Sequence, residues 1–187
     1  IQITNLDKLT YCGNLENLKD VEKNKNYKFV KGDIADQKLV AELMKETDEV
    51  IHFAAESHVD RSLSNATEFL QTNIIGTFIL LEEARKNNVS KFIQIGTDEC
   101  YGHILEGSFK ETDALNQRNP YSAAKASADR MAYAFSETYG LNVSITRAAN
   151  NFGAYHFPEK VIPLFITNLI QGKKVPLYGE GKNIREW

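Results

Sequence analysis

The sequence predicts an α/β fold with a doubly wound parallel sheet. Five β-rich apolar runs alternate with helix-like segments, which is typical of a parallel sheet with helices on both faces. Polar residues follow each run, at the edge where doubly wound sheets bind their ligands. The 187 residues and 42% hydrophobic content suffice for one such domain with a buried core.

The elements are expected in regular alternation. The β-rich runs predict strands at 1–6, 27–31, 49–53, 91–95 and 142–146. Helices are predicted at 37–46, 67–87, 121–139 and 161–171, with Asp36 as an N-terminal cap of the first and Gly140 as the C-terminal stop of the third. Two long polar loops, 101–120 and 150–159, are expected to have a functional role because loops of that length are uncommon in compact domains.

Charge and composition exclude several classes of function. The formal net charge is -3, and the 22 basic residues form no stripe of the kind that binds nucleic acid. No apolar run approaches the roughly 20 residues needed to cross a bilayer. Cys12 and Cys100 have neither partners nor neighbouring histidines at metal-ligand spacing, so neither a disulfide framework nor a metal site is predicted. We expect a soluble, cytoplasmic protein that binds neither nucleic acid nor membranes.

An acidic residue after the first run suggests the cofactor. In dinucleotide-binding folds such a residue accepts hydrogen bonds from the adenosine ribose, and its charge repels a 2′-phosphate. Asp7 suits that role and favours NAD over NADP, although an aspartate there can also simply begin a turn. Asp33 and Ile34, after the second run, could lie against the adenine, and the alternative for Asp33 is a helix cap.

A glycine-rich turn around the pyrophosphate is not found in this sequence. Such a turn follows the first strand of a complete dinucleotide-binding fold, and Gly13 lies on the wrong side of the acidic strand. In the usual order 3-2-1-4-5-6 that first strand is central. We therefore expect a gap in the sheet, where the first strand and the glycine-rich turn of a complete fold would lie.

Tyr121 and Lys125 form the first candidate catalytic pair. Four positions apart on a helix, they share a face, and an ammonium group near the phenol is expected to lower the tyrosine pKa from about 10. The phenolate could then take a proton from a sugar hydroxyl during hydride transfer. Tyr-x-x-x-Lys also occurs by chance on solvated helices. Pro120 at the helix start and the small residues around Lys125 favour the catalytic interpretation.

Thr97, Asp98 and Glu99 form the second candidate group. They follow an apolar run, so two carboxyl groups and a hydroxyl should lie at the ligand-binding edge of the sheet. Neighbouring carboxyl groups in different environments can divide the roles of general acid and general base. The alternative is a solvated loop.

Together these motifs resemble a known family. Thr-Asp-Glu-x-Tyr-Gly at 97–102 and Tyr-x-x-x-Lys at 121–125 are similar to the extended short-chain dehydrogenase/reductase superfamily, specifically the dTDP-glucose 4,6-dehydratases of the NAD-dependent epimerase/dehydratase family. The resemblance extends through 5–15, 52–62, 119–125 and 155–160, and covers nearly the whole chain. It implies a Rossmann-like fold, with an NAD-binding domain at 1–150 that lacks its first βα unit and the beginning of a substrate-binding region at 151–187.

The resemblance also implies a mechanism. Tyr121 would deprotonate the glucosyl O4 hydroxyl while hydride passes from C4 to NAD, and Lys125 would hold the nicotinamide ribose. Glu99 would then remove the C5 proton, Asp98 would protonate the departing C6 hydroxyl, and hydride would return to C6. Thr97 would hydrogen-bond near O4. The cofactor is regenerated in each turnover and should remain bound.

The remaining site residues are likewise expectations from the resemblance. Contacts to NAD are expected from Tyr121 and Lys125 and from Asp7, Lys8, Leu9, Thr10, Asp33, Ile34, Phe53, Ala54, Ala55, Glu56, Ser57, Thr72 and Asn151. Contacts to the nucleotide sugar are expected from Ser57, Thr97, Asn150, Lys160, Val161, Pro176, Leu177, Tyr178 and Arg185. A homodimer would form through the helices at 67–87 and 121–139, although their apolar residues could equally be buried against their own sheet.

Three alternatives stay open. A UDP-glucose 4,6-dehydratase would keep the same catalytic residues. A nucleotide-sugar 4-epimerase would share Tyr121, Lys125 and NAD, but it has no need for the Asp98 and Glu99 pair. An inactive fragment would serve only as a binding or interaction piece.

Overall fold

Five parallel strands form two separate sheets in the computed structural model, which describes residues 1–187. In the first, β1 (Ile3–Asp7) pairs with β2 (Tyr27–Lys31). In the second, β4 (Lys91–Thr97) lies between β3 (Glu49–His52) and β5 (Val143–Ala148). The five strands are all parallel, as predicted. No strand pairing joins the two sheets.

The helices follow the predicted alternation. They are α1 (Gln37–Met44), α2 (Val59–Ser64), α3 (Ala66–Phe69), α4 (Thr77–Lys86), α5 (Pro120–Tyr139) and α6 (Val161–Ile170). The predicted helix at 67–87 consists of α3, a π-helical segment at Leu70–Gly76 and α4. The six-residue helix α2 was not predicted, because it is too short to show an apolar period. None of the helices is both long and apolar enough to cross a membrane.

The helix ends are determined by local sequence. Asp36 accepts hydrogen bonds from the backbone N–H groups of Lys38 and Leu39, which confirms it as the cap of α1. Gly140 ends α5 in the left-handed conformation at φ 71°, which glycine adopts without a steric penalty. At the other end of α5, Asn119 and Ser122 form a capping box in front of Pro120.

The main core lies between the second sheet and the helices α1, α4 and α5. Phe92 of β4 is fully buried in it, and Gly76 allows the π segment to approach Ile34, whose Cδ1 would lie 2.6 Å from a Cβ at that position. The cluster consists of Ile34, Val40, Met44, Leu80, Leu81, Ala84, Val89, Phe92, Ala132, Phe135 and Leu141. This packing fixes α5 on β4 and thereby orients the residues at the end of that strand.

Candidate active site

A cleft of about 540 Å³ lies between the two sheets and brings together most of the predicted cofactor residues. Its walls come from the end of β1 on one side and from β3 and the loop after it on the other. Among its lining residues are Asp7, Lys8, Leu9, Thr10, Asp33, Ile34, Phe53, Ala54, Ala55, Glu56 and Thr72. The predicted contacts Ser57, Tyr121, Lys125 and Asn151 do not line this cleft.

Asp7 is the last residue of β1, and the turn considered as the alternative for it is present. Its Oδ1 accepts a hydrogen bond from Leu9 N at 2.6 Å, so it does begin a turn, and Leu9 takes the left-handed conformation at φ 53°. This turn occupies only one carboxylate oxygen. The other oxygen can accept a ribose hydroxyl at the edge of the cleft.

Asp33 is paired with the neighbouring loop. Lys8 Nζ lies 2.6 Å from Asp33 Oδ2, and Ala35 N donates to Asp33 Oδ1 at 2.9 Å. Burial favours a raised pKa at Asp33, but these hydrogen bonds and the Lys8 charge outweigh it and lower the pKa below its usual value. The carboxylate therefore closes a turn, and it is Asp36 rather than Asp33 that caps the helix.

Asn73 supports the floor of the cleft and was not predicted. Its Oδ1 accepts from Glu56 N at 2.9 Å and its Nδ2 donates to Glu56 O at 3.0 Å, as a neighbouring strand would do. Thr77 donates to Asn73 O at 2.7 Å, and buried His52 contacts Thr77 Oγ1 at 2.9 Å. The signal available in the sequence was an asparagine, a weak helix former, within a predicted helix. Irregular π segments often mark functional sites.

Four of the predicted catalytic residues meet where β4 ends and α5 begins. Thr97 is the last residue of β4, and its side chain lies close enough to Tyr121, near the start of α5, to lower the tyrosine pKa. Glu99 N donates to Thr97 Oγ1 at 3.3 Å, and Thr97 Oγ1 lies 3.3 Å from Asp98 Oδ1. The phenol, the hydroxyl and both carboxyl groups therefore belong to one cluster.

Asn119 also belongs to this cluster, although the sequence analysis did not single it out. Its Oδ1 accepts the cap hydrogen bond from Ser122 N at 2.8 Å, while its Nδ2 donates to Glu99 Oε2 at 3.2 Å. Asparagine before proline at a helix start was the signal that could have identified it.

The expected lowering of the Tyr121 pKa is not observed. Burial, followed by the nearby Glu99 carboxylate, raises the pKa of Tyr121 to about 12, while the hydrogen bond from Thr97 opposes this increase. The prediction considered only helical spacing to Lys125. Spacing places two residues on one face but does not determine the distance between their charged ends.

Lys125 is buried against β4. Only 5% of its surface is exposed, and its Nζ donates to Ile95 O at 2.5 Å. Burial lowers the pKa of Lys125, and the charge of the Asp129 carboxylate acts in the opposite direction. A buried ammonium group requires such compensation because it has lost its hydration.

The predicted substrate residues are mostly exposed and are not assembled around this cluster. Asn150 Nδ2 donates to Glu186 O at 2.8 Å, and Arg185 donates only to the adjacent Ile184 O. Lys160 precedes α6 and Val161 begins it. Pro176, Leu177 and Tyr178 follow α6 in the C-terminal segment, outside any helix or strand. None of these residues has a hydrogen bond or ion pair with Thr97, Glu99 or Tyr121, so their roles stay predictions.

A second cluster joins three of the stretches that carried the resemblance. Tyr11 OH donates to Glu159 Oε1 at 2.8 Å, and the Arg61 guanidinium lies 3.8 Å from the centre of the Tyr11 ring. Phe157 meets the same ring edge-on, with the centroids 5.6 Å apart. The loop after β1 is therefore tied to α2 and to the segment before α6.

Comparison with known proteins assigns the family. The family model described as GDP-mannose 4,6 dehydratase matches residues 1–187. The chain belongs to this family. Among curated relatives, a dTDP-glucose 4,6-dehydratase of Streptomyces niveus is 50% identical over 186 residues, which cover 100% of this chain and 55% of the relative. The chain thus spans about half the length of such relatives.

Solved structures of family members show the same fold. The dTDP-glucose 4,6-dehydratase of Streptomyces venezuelae, solved with NAD bound, has a TM-score of 0.98 and 48% identity, over 100% of this chain and 58% of that one. A UDP-N-acetylglucosamine 4-epimerase of Methanobrevibacter ruminantium has a TM-score of 0.89 and 30% identity, over 97% of this chain and 59% of that one. The Rossmann-like α/β fold is thereby confirmed.

Proposed function

We propose that this chain carries the catalytic part of an NAD-dependent nucleotide-sugar 4,6-dehydratase that acts on dTDP-glucose. The observation that carries the proposal is the cluster of Thr97, Asp98, Glu99 and Tyr121 at the end of β4, because it supplies an acid and a base in addition to the phenol. The family model's description names GDP-mannose. Two curated relatives that are 50% and 51% identical to this chain are instead called dTDP-glucose 4,6-dehydratases. The proposal follows the substrate in their names.

We assign the rim of the cleft between the sheets to a dinucleotide. Asp7 offers a carboxylate oxygen at its rim, and the backbone of Glu56 is held rigidly at its floor by Asn73. Apolar residues such as Ile34 and Ala54 provide surfaces for flat rings. Bound NAD would accept hydride from C4 of the sugar and return it to C6.

Tyr121 is assigned the first proton transfer, from the O4 hydroxyl of glucose. With a pKa raised to about 12, the phenol needs a nearby positive charge to act as a base near neutral pH. Lys125, one helical turn further on, is the cation on the same face of α5. Thr97, whose side chain lies beside Tyr121, is assigned to hold the phenol in position.

Elimination of water is assigned to the two carboxyl groups. Loss of O4–H and C4–H gives a 4-keto sugar, which makes the C5 proton acidic. Glu99 takes the C5 proton, the C5–C6 double bond forms, and Asp98 donates a proton to the C6 oxygen, which leaves as water. Asn119 holds the Glu99 carboxylate through its Nδ2. An epimerase has no step that requires this pair.

The other expectations enter the proposal as follows. Residues 1–150 form the NAD-binding part and 151–187 begin the substrate-binding part. A homodimer would use the face of the π segment and α4 where Ile75 and Phe78 are 43% and 41% exposed. Leu81 and Ala132 cannot contribute, because they are fully buried in the chain's own core. We expect the protein to act in the cytoplasm.

The test is product formation by the protein expressed at its natural length. It is incubated with NAD and dTDP-glucose, and the 4-keto-6-deoxy product is followed by its absorbance in alkali. UDP-glucose is tried in parallel. Glu99→Gln is expected to stop elimination, with exposed Glu106→Gln as its matched control.

The outcomes separate the alternatives. The proposal would be supported if the parent protein and Glu106→Gln form the product from dTDP-glucose and Glu99→Gln does not. Product from UDP-glucose only would assign the other nucleotide. Conversion to a C4 epimer without loss of water would show an epimerase and would leave Glu99→Gln active.

A further inference from the structure

A buried charge cluster lies beneath the Tyr121 and Lys125 pair and has no place in the mechanism above. Asp129 is completely buried on α5, one turn beyond Lys125. Arg147 of β5 donates from Nε to Asp129 Oδ2 at 2.8 Å and from Nη1 to the Tyr101 hydroxyl at 2.9 Å. A fully buried carboxylate is costly unless its charge serves to balance another.

Asp129 and Lys125 are packed against consecutive residues of β4. Lys125 Nζ donates to Ile95 O, while both Asp129 oxygens lie 3.0 Å from where a Cβ on Gly96 would be. Glycine at position 96 leaves room for the carboxylate close to the strand. Helical spacing of four residues puts the two side chains on the same face of α5.

Asp129 has one oxygen that Arg147 does not use. Oδ1 is buried and has no hydrogen-bond partner, whereas Oδ2 is occupied by the guanidinium. An unpartnered buried carboxylate oxygen is unfavourable unless a nearby charge compensates. Lys125 is the cation that shares its helix face.

The other titratable groups around Lys125 carry no charge near neutral pH. Burial lowers the pKa of His52, on β3, to about 3, so its imidazole is neutral. Burial raises the pKa of Cys100, in the turn after β4, to about 12, so its thiol is protonated. Burial and Glu99 keep the Tyr121 phenol protonated as well. Asp129 and Arg147 are therefore the charges that decide the state of Lys125.

We propose that Asp129 is a positioning residue that keeps Lys125 ionised, and that Arg147 limits this effect by sharing the carboxylate. Asp129 touches neither sugar nor cofactor and acts only through Lys125. The ammonium charge in turn permits Tyr121 to ionise. This inference rests on the proposed function only for the role of Lys125 in catalysis.

The test measures the protonation of Lys125 directly, in the protein at its natural length, by NMR titration of lysines labelled at Cε. Asp129→Asn is expected to lower the pKa of Lys125 by about one to three units, because it removes the compensating negative charge. Arg147→Gln is expected to raise it, because the carboxylate is then left to Lys125 alone. Tyr101→Phe changes no charge and serves as the control, with an unchanged Lys125 pKa.

The opposite signs distinguish positioning from a general structural effect. Loosening of the fold by either variant would expose Lys125 and move its pKa towards the ordinary value in both. Shifts in the same direction, or no shift in either, would overturn the proposal. If Asp129→Asn does not fold, Arg147→Gln decides where its stability in urea unfolding equals that of the parent: a raised Lys125 pKa then supports the proposal, and an unchanged or lowered one overturns it.

Kinetics gives a second measurement. In a plot of kcat against pH, the rising part of the curve should move to higher pH in Asp129→Asn and to lower pH in Arg147→Gln. KM should be unchanged in both variants. If the protein proves inactive with every nucleotide sugar tried, the proposed function fails while the NMR titration still tests the charge cluster. The two failures are thus distinguishable.

Discussion

Replacement of Asn73 by alanine tests how the floor of the cleft is built. The side chain makes two hydrogen bonds to the backbone of Glu56, at 2.9 and 3.0 Å, and Asn73 is 1% exposed. Each such bond contributes about 1 kcal/mol, and a backbone group left unpaired in a partly buried place adds to the loss. We expect Asn73→Ala to lower the free energy of unfolding by about 2–4 kcal/mol.

The assay is urea unfolding followed by circular dichroism, with exposed Asn26→Ala as the matched control. The control should change stability by no more than about 0.5 kcal/mol. NAD affinity should also fall in Asn73→Ala, because the segment Phe53–Glu56 lines the cleft. Equal stability of the two variants would refute the argument that Asn73 holds this segment.

Asn73→Asp sharpens the same test through pH. The carboxylate keeps the acceptor for Glu56 N, but it places a negative charge against Glu56 O, where Nδ2 donates in the parent protein. Burial raises the pKa of such a carboxyl group, and its protonated form can donate again. Stability relative to the parent should therefore recover as pH falls. If Asn73→Asp stays as destabilised at low pH as at neutral pH, the hydrogen-bond assignment is contradicted.

Three further predictions concern other parts of the chain. Asp36→Ala should cost about 1 kcal/mol in urea unfolding, because two N–H groups of α1 lose their cap. Tyr121→Phe should reduce kcat by about 10²–10⁴ and change the free energy of unfolding by no more than about 1.5 kcal/mol, while exposed Tyr139→Phe should leave kcat unchanged. The pKa of His52 is about 3 in the folded protein and near 6.5 in the unfolded chain, so between these pH values only the unfolded chain binds the proton. Acidification in this range should therefore destabilise the parent relative to His52→Gln, by up to about 1.4 kcal/mol per pH unit. Unfolding measured from pH 7 to pH 4 checks this difference, and parallel curves for the two proteins would disprove it.

The features predicted correctly from sequence depend on short-range patterns. Asp36, Pro120 and Gly140 mark helix ends through contacts within four residues, and the structure confirms them. The ends of the apolar runs located the cleft residues, because parallel strands present their carboxyl ends at a common edge. Such signals remain visible when the tertiary structure is unknown.

The features that were missed depend on partners distant in sequence. Asn73 is 17 positions from Glu56, and Tyr11 is 148 positions from Glu159. The pKa of Tyr121 was predicted in the wrong direction because burial, which the sequence does not reveal, outweighs helical spacing to a cation. Electrostatic roles are therefore less predictable from a motif than the positions of its residues.

Asn119 shows why folding and site geometry are coupled in this chain. One atom of its amide caps α5 through Ser122 N, and the other holds Glu99 through Oε2. The helix start that fixes Tyr121 therefore also fixes the carboxylate assigned to C5. A helix that began one residue earlier or later would rotate Tyr121 by about 100° around its axis and would separate the phenol from the carboxylate. The local signal of Asn119 and Pro120 thus determines the relative placement of two catalytic groups that lie 22 positions apart in the sequence.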